Sequence, residues 1–164
     1  MSVGAESLES QVGHWLRSKG LKLAVAESCT GGLLADRITD VPGSSDYFRG
    51  AIVAYAYEAK VALLGVSWAT LREHGAVSRE TVLEMARGAR TALGADLAIS
   101  ISGIAGPGGG LPNKPVGTTW FGLSTPAEDG AFLHQFGGDR RQNKMQAAGA
   151  ALQILLDYLR GRQA

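Results

Sequence analysis

The hydrophobic positions in the first third of the chain predict a helix, a strand and a second helix. Residues 5–19 carry apolar side chains at helical spacing, and Gly20 follows as the expected helix end. The apolar residues of this helix are Leu8, Val12, Trp15 and Leu16. The apolar run 21–26 predicts a short buried strand, and residues 29–40 predict a helix despite two glycines near its start. Proline, glycine and serine then predict a loop over residues 41–45.

The middle of the chain predicts a second strand followed by three helices. The strand covers residues 50–55, and two short helices cover residues 58–64 and 68–74, each followed by a glycine. Ser78 is the expected N-cap of a longer helix that Gly94 ends. The apolar face of that helix consists of Val82, Met85, Ala86, Ala89 and Leu93.

The last third of the chain predicts three more strands and a long helix. Residues 96–102 are apolar enough for a central strand, and the glycine-rich run 103–110 that follows cannot be regular structure. Residues 116–124 and 131–136 predict an antiparallel hairpin, and residues 140–160 predict the final helix. The apolar residues of that helix are Met145, Ala148, Leu152, Leu155, Leu156 and Leu159.

The order of these elements predicts the fold class. Strands that alternate with helices are typical of an α/β protein, here a three-layer α/β/α sandwich. The hairpin makes its sheet mixed, mostly parallel, with about five strands. Because the sequence shows no internal repeat, linker or low-complexity segment, we expect a single domain over residues 1–164.

Composition and charge exclude several classes of protein. Glycine accounts for 23 of the 164 residues, but it has no period of three and only 5 prolines accompany it, which excludes collagen and proline-rich disorder. A formal net charge of +1 without a Lys/Arg cluster argues against a nucleic-acid partner. One cysteine, Cys29, excludes a disulfide framework, and with only 3 scattered histidines no structural metal site is expected.

The sequence contains no segment that suggests a membrane or an export route. No apolar run approaches the roughly 18 residues that a membrane-spanning helix needs. The first residues lack the basic region and the apolar core of a signal peptide. We therefore expect no membrane partner and a cytoplasmic location.

Candidate chemistry lies in the loops that follow three predicted strands, because ligands in α/β sheets bind at the carboxyl ends of strands. The first loop, residues 27–32, contains Ser28, Cys29 and Thr30 before two glycines that permit close approach. A helix N-terminus at Cys29 would stabilise an anion or oxyanion. The alternative is that Ser28 or Thr30 only caps the helix, and Cys29 is expected to be a small buried hydrophobe.

The second and third loops also offer reactive or hydrogen-bonding groups. Lys60 follows the second strand, and a desolvated lysine can act as a general base toward a serine, although a solvated lysine is the simpler interpretation. The glycine-rich run 102–110 matches no phosphate-binding pattern but offers backbone N–H donors, unless it is only a connector. Arg140 could clamp a carboxylate or phosphate, or simply be solvated. The 3 histidines lie in unrelated elements, so a Ser-His-Asp triad is not expected.

Seven segments of the chain form a specific combination of motifs. In chain order they are Ala26-Glu-Ser-Cys-Thr-Gly-Gly32, Val41-Pro-Gly-Ser-Ser45, Glu58-Ala-Lys60, His74-Gly-Ala-Val-Ser78, Ser102-Gly-Ile-Ala-Gly-Pro107, Lys114-Pro-Val-Gly-Thr118 and Gly138-Asp-Arg140. Together, and in this order, they closely resemble the C-terminal domain family of the competence/damage-inducible protein CinA. The resemblance extends over about residues 5–160.

The resemblance implies an activity and a set of site residues. Stand-alone members of the family hydrolyse nicotinamide mononucleotide (NMN) to nicotinate mononucleotide and ammonia, in pyridine-nucleotide salvage, without a metal or other cofactor. The family's serine nucleophile corresponds to Ser28, its lysine to Lys60 and its tyrosine to Tyr55, whose hydroxyl we expect between the other two. The residues expected to bind substrate are Cys29, Thr30, Gly31, Gly32, Ser102, Gly103, Gly106, Gly108 and Arg140. The family also implies a homo-oligomer, a dimer or larger.

The chain departs from the family pattern at two places, which leaves two alternatives open. It has Tyr55-Ala56-Tyr57 where members commonly have Tyr-Ser-Asn, and Asn143 and Lys144 where members often have valine and arginine. The first alternative is a nucleotide-binding or regulatory module without turnover. The second is an amidase for another small carboxamide.

Overall fold

The computed structural model describes residues 6–161, which form six α-helices and five strands. The helices are α1 (Leu8–Lys19), α2 (Leu33–Thr39), α3 (Tyr57–Leu64), α4 (Trp68–His74), α5 (Arg79–Ala92) and α6 (Arg140–Leu159). The strands are β1 (Leu23–Glu27), β2 (Phe48–Val53), β3 (Leu97–Gly103), β4 (Thr118–Ser124) and β5 (Asp129–Gln135). A single 3₁₀ turn, Ser44–Asp46, precedes β2.

The five strands form one mixed sheet in the order β2-β1-β3-β4-β5. Strand β1 pairs in parallel with β2 and β3, while β4 runs antiparallel to both β3 and β5. Four of the five strands therefore run in the same direction. The carboxyl ends of β1, β2 and β3 meet at one edge, where Glu27 is in register with Val53 and with Ile101.

Helices cover both faces of the sheet, and the side chains of the strands divide between them with a period of two. Leu23 and Val25 of β1 face a core that α1, α2 and α6 complete, whereas Ala24 and Ala26 face α3, α4 and α5. The second face uses small residues because α5 packs closely there, and a Cβ on Gly122 of β4 would overlap the backbone of α5. These two cores confirm the predicted α/β/α sandwich.

Most predicted elements are present within a few residues of their expected bounds. Ser78 caps α5, where its side chain accepts from the Thr81 amide, and Gly20 ends α1 in a left-handed conformation. The predicted hairpin is β4–β5. Residue 5, the first of the predicted helix 5–19, lies outside the described residues.

Two details of the predicted elements are wrong. Helix α2 begins at Leu33 rather than Cys29, because Gly31 and Gly32 adopt positive φ angles of 62° and 105° that delay the first helical turn. Met145 is 54% exposed rather than part of the buried face of α6. The first turns of α6 face the loop after β3, so Asn143 is buried there instead.

Candidate active site

Ser28 and Lys60 are in direct contact although 32 residues separate them in the chain. Ser28 directly follows β1, and Lys60 lies in the first turn of α3, which follows β2. Lys60 Nζ donates a hydrogen bond of 2.8 Å to Ser28 Oγ. Both residues are buried, and the Lys60 side chain is 0% exposed. The parallel pairing of β1 and β2 thus brings together two residues that the sequence analysis selected separately.

The backbone fixes the orientation of the Lys60 amine. Besides Ser28, Nζ donates to the carbonyl oxygens of Ala54 at 2.9 Å and Tyr55 at 3.0 Å. A carbonyl can only accept, so a neutral amine must direct its two N–H groups to Ala54 and Tyr55. In this neutral form the lone pair faces Ser28 Oγ and accepts from its hydroxyl, whereas the ammonium form donates to Oγ; only the neutral form can act as a base toward that hydroxyl.

Burial favours this neutral form of Lys60. Desolvation lowers the pKa of the Lys60 amine from 10.5 to about 8. The charged form is disfavoured because the low-dielectric interior offers the ammonium no carboxylate partner among residues 6–161. The simpler interpretation of Lys60 as a solvated lysine is therefore wrong.

Glu27 holds the backbone on either side of Ser28, and the sequence analysis missed it. Its fully buried carboxylate accepts from the amides of Leu34 at 2.9 Å and Ala35 at 3.1 Å. These are orphan donors of the first turn of α2, so Glu27 ties the end of β1 to the start of that helix. The available signal was an acidic residue at the end of an otherwise apolar buried strand.

The arrangement around Glu27 corrects the expected anion site at a helix N-terminus. Helix α2 starts four residues later than predicted, and Glu27 already occupies its first amides. The N-cap of α2 is Gly32, with no side-chain hydrogen bond, so neither Ser28 nor Thr30 caps this helix. Within residues 6–161 the amides of Cys29 and Thr30 have no hydrogen-bond acceptor in another residue, which leaves them available for an oxyanion.

Cys29 and Thr30 are both buried beside Ser28 and differ in what they offer. Burial raises the pKa of the Cys29 thiol from 9.0 to about 11, which keeps it protonated, as expected for a small buried hydrophobe. Thr30 is 1% exposed, and its Oγ1 has no hydrogen-bond partner among the described residues. An orphan buried hydroxyl is costly, and a bound ligand or water would satisfy it.

Tyr55 contacts Lys60 through its carbonyl and not through its hydroxyl. Its side chain is 60% exposed, and Arg140 Nη2 donates to its hydroxyl at 3.1 Å. The expected position of this hydroxyl between Ser28 and Lys60 is therefore not the one observed. The carbonyl of Tyr55 turns inward to the amine, while the ring lies at the surface near α6.

The glycine-rich loop after β3 approaches the site through its first residues. Gly103 ends β3, where a Cβ would lie 2.5 Å from Thr119 Oγ1, and Gly106 has a φ of 87° and accepts from Arg140 Nη1 at 2.7 Å. Ser102 is buried within β3, and Gly108 lies on the exposed part of the loop with no neighbour for a Cβ. The loop is thus tied down at Gly106 rather than being a free connector throughout.

Two cations of α6, Arg140 and Lys144, lie near the site and form no ion pair among residues 6–161. None of the ion pairs formed among residues 6–161 includes Lys60, Arg140 or Lys144. Lys144 Nζ is 3.9 Å from the position that a Cβ on Gly31 would occupy, so it lies beside the Ser28 turn. A groove of about 410 Å³ borders the site and is lined by Ala105, Pro107, Val116, Gly138, Asp139, Arg140 and Arg141. This charge distribution suits an anionic ligand.

Neither a metal-binding cluster nor a membrane-spanning helix is present in the described part of the chain. No group of three or more His, Cys, Asp or Glu residues within residues 6–161 is arranged to hold a metal ion. No helix in the same range is long and apolar enough to cross a membrane.

Comparison with known sequences places these features in a family. Residues 5–159 match the family model of the CinA C-terminal domain. A "Nicotinamide-nucleotide amidohydrolase PncC" from Enterobacter agglomerans is 51% identical over 152 residues, which cover 91% of this chain and 92% of that protein. A "CinA-like protein" from Salinibacter ruber is 50% identical over 153 residues, or 93% of this chain. This chain spans only 37% of the length of the Salinibacter ruber relative.

Solved structures of the family share this fold over nearly the whole chain. The competence-damaged protein (CinA) superfamily protein from Klebsiella pneumoniae superposes with a TM-score of 0.91 at 37% identity, covering 94% of this chain and 96% of that one. The corresponding superfamily protein from Escherichia coli gives a TM-score of 0.89 at 31% identity, with 96% and 94% covered.

Proposed function

Because this chain belongs to the CinA C-terminal domain family, we propose that it is an amidohydrolase that converts NMN to nicotinate mononucleotide and ammonia. The family match confirms the resemblance inferred from the seven motifs. The observation that carries the chemistry is the hydrogen bond between the buried Lys60 amine and Ser28 Oγ. The support for the substrate is the amidohydrolase from Enterobacter agglomerans, which matches this chain over nearly its whole length.

In the proposed first step, Ser28 Oγ attacks the carboxamide carbon while neutral Lys60 takes the hydroxyl proton. The carbonyls of Ala54 and Tyr55 hold the amine so that its lone pair faces Oγ before the substrate arrives. The gain from such positioning is entropic, since no rotor of the base must be frozen during the reaction. The product of the step is a tetrahedral intermediate with its charge on the former carbonyl oxygen.

Backbone amides are the proposed donors to that oxyanion. The amides of Cys29 and Thr30 directly follow the nucleophile, and those of Ala105 and Gly106 lie in the loop after β3. None of the four has an acceptor in another residue among those described. Preorganised amides of this kind need no reorganisation when the charge develops.

The remaining steps use Lys60 twice more. Its ammonium gives the proton to the departing nitrogen, so ammonia leaves and an ester of Ser28 remains. Water then attacks the ester with the neutral amine as base, nicotinate mononucleotide leaves, and Ser28 regains its proton. The sum consumes one water and releases one ammonia.

The phosphate of the substrate is proposed to bind on the α6 side of the site. Arg140 and Lys144 lie one turn apart there and have no carboxylate partner among residues 6–161. The hydroxyl of Tyr55 joins this group through Arg140. A role for Tyr55 in proton transfer would need its hydroxyl to leave Arg140 when substrate binds.

The test is ammonia release from NMN by the wild type, Ser28→Ala and Lys60→Met. We expect both variants to lose at least about 10³-fold in kcat/KM, because each removes one member of a unit that acts together. Ser18→Ala in α1 is the matched control, and its rate should equal that of the wild type. Equal rates in the wild type and Ser28→Ala would contradict the nucleophile.

Two other results would favour the alternatives. Ammonia release from another small carboxamide, but not from NMN, would indicate an amidase of different specificity. Thermal stabilisation by NMN without ammonia release would indicate a binding or regulatory module. The same chemistry supports the first alternative equally well, and only a panel of substrates separates it from the proposal.

We also propose a single domain, a homo-oligomeric state and a cytoplasmic location as working expectations. Light scattering of the purified chain measures its oligomeric state. A monomer at working concentration would contradict the homo-oligomer.

A further inference from the structure

Two consecutive carbonyls of the loop after β3 are held by side chains one turn apart on α6. Asn143 Nδ2 donates to the Ala105 carbonyl at 3.0 Å, and Arg140 Nη1 donates to the Gly106 carbonyl at 2.7 Å. We call this pair of contacts the loop clamp. The loop clamp joins residues more than 30 positions apart in the chain and fixes the loop directly after the end of β3.

The surroundings of Asn143 leave only one orientation for its amide. Nδ2 donates a second hydrogen bond of 3.0 Å to the Gly138 carbonyl, so both of its partners are acceptors. The reversed amide would place an oxygen against two carbonyl oxygens, which excludes it. Nδ2 is therefore committed to the two backbone segments that it joins.

Asn143 is costly to stability in this position. Its side chain is 3% exposed, and Oδ1 has no hydrogen-bond partner among the described residues. A buried acceptor without a donor loses its hydration and gains nothing in return, whereas an apolar side chain of similar size would avoid that loss. Features of this kind are typical of functional sites, where a local rule is broken for a gain elsewhere.

The loop that Asn143 holds lies beside the nucleophile. The Ser28 amide donates to the carbonyl of Ile101, two residues before β3 ends. Ala105 follows two residues after that end, and the amides of Ala105 and Gly106 have no acceptor within residues 6–161. Moving the Ala105 carbonyl would move both amides relative to Ser28.

We propose that Asn143 is a positioning residue, which sets the loop amides of Ala105 and Gly106 for the oxyanion that forms at Ser28. The inference rests on the proposed function for the identity of the reaction. Asn143 acts through the backbone and not through contact with substrate. Asn143 differs in this from Arg140, which also donates to the Tyr55 hydroxyl and is proposed to bind the substrate phosphate.

The main test compares Asn143→Leu and Asn143→Asp with the wild type in NMN hydrolysis. Both variants keep the size of the side chain and remove its two donated hydrogen bonds. We expect kcat to fall on the order of 10²-fold, as for a small misplacement of catalytic groups, with KM changed less than threefold. Met145→Gln, at an exposed position of the same helix, is the matched control and should leave kcat unchanged.

A second readout does not depend on NMN being the substrate. Hydrogen–deuterium exchange of the backbone over residues 103–110 should be faster in Asn143→Leu, and an aryl sulfonyl fluoride should modify Ser28 more slowly. If the reagent modifies Ser28 of the wild type but the wild type releases no ammonia from NMN, the proposed function is contradicted. Slower modification of Asn143→Leu than of the wild type would then still support the positioning role of Asn143. Unchanged exchange and unchanged modification in Asn143→Leu would overturn the positioning role.

The melting temperature separates positioning from a purely structural role. Because the orphan Oδ1 is removed in Asn143→Leu, we expect its melting temperature to stay within a few degrees of the wild type while kcat falls. A fall in kcat that only follows the unfolded fraction would overturn the inference.

Discussion

At the scale of single residues, the chemistry of the site depends on how many acceptors surround one nitrogen. Lys60 Nζ has three oxygen partners, of which only the Ser28 hydroxyl can give a proton back. Burial lowers the pKa of this amine to about 8, so both protonation states are accessible near neutral pH. Burial also raises the pKa of the Cys29 thiol to about 11, so the thiol stays protonated near neutral pH, which favours Ser28 as the proposed nucleophile.

The pH dependence of the reaction follows from Lys60. Because only the neutral amine can accept the Ser28 proton, we expect kcat/KM to rise tenfold per pH unit below about 8 and to level off above it. Initial rates of ammonia release between pH 6 and 10 measure this. A profile that is flat from pH 6 to 9 would contradict Lys60 as the base.

The same pKa shift also acts on stability, which gives a check without substrate. Between pH 8 and 10.5 the unfolded chain still holds the lysine proton that the folded chain has lost. Stability therefore rises with pH through this window, relative to Lys60→Met, which cannot titrate. Urea unfolding of both proteins at several pH values measures the difference, and parallel curves would be the contrary result.

At the scale of elements, the turn between β1 and α2 determines the position of Ser28, the proposed nucleophile. Gly31 and Gly32 delay the helix, and the buried Glu27 carboxylate connects the strand to the first amides of α2. The turn is therefore held by a side chain that is fully buried. Its strength depends on two charge-assisted hydrogen bonds in a low-dielectric setting.

Replacing Glu27 by glutamine should weaken this turn. The amide group of Glu27→Gln can accept from one of Leu34 and Ala35 but opposes the other with an N–H group, so we expect a loss of about 1–3 kcal/mol in the free energy of unfolding. Activity should fall as well, because the turn carries Ser28. Urea unfolding and the ammonia assay measure both, and Glu73→Gln at an exposed position of α4 is the matched control. A Glu27→Gln protein as stable and active as the wild type would show that Glu27 does not hold the turn that carries Ser28.

At the scale of the whole molecule, the site is assembled from segments that only the sheet order brings together. The Arg140–Tyr55 hydrogen bond joins residues 85 positions apart, and it connects α6 to the residue whose carbonyl accepts from Lys60. The pairing of β1 with both β2 and β3 makes this possible, since all three strands end at one edge. The cations Arg140 and Lys144 of α6, which form no ion pair among residues 6–161, lie beside Tyr55 and Gly31.

Those cations lead to a prediction about substrate charge. In Arg140→Met and Lys144→Met we expect KM for NMN to rise about tenfold or more, because each removes a charged contact to phosphate. The phosphate-free riboside of nicotinamide should be hydrolysed equally by Lys144→Met and the wild type, whereas Arg140→Met also loses the hydrogen bond to the Gly106 carbonyl and should hydrolyse the riboside more slowly. Steady-state kinetics with the two substrates measure this. An equal rise in KM for both substrates would contradict phosphate binding.

The sequence predicted most of the fold because glycine stops and apolar runs are local signals. Helix α4 has its predicted bounds, and β4–β5 form the predicted hairpin. The start of α2 was missed because the carboxylate of Glu27 and the φ angles of Gly31 and Gly32 decide it together. Local periodicity carries no information about such a cap.

The residues of the candidate site also divide into those that local sequence signals indicate and those that depend on distant partners. Ser28 and Lys60 could each be selected because each follows a predicted strand, but only the family resemblance paired them before the structure did. The position of the Tyr55 hydroxyl was not predictable, since its partner Arg140 lies in the last helix. Asn143 was also hidden, because one of its two acceptors, the Ala105 carbonyl, belongs to a loop 38 residues away.

The two carbonyls that orient Lys60 come from positions five and six residues before it in the chain. The base and the groups that aim it therefore form one contiguous seven-residue corner between a strand and a helix. Such a corner is portable. It could be grafted after a parallel strand of another α/β protein, where a serine directly after the neighbouring strand would complete the Ser–Lys pair.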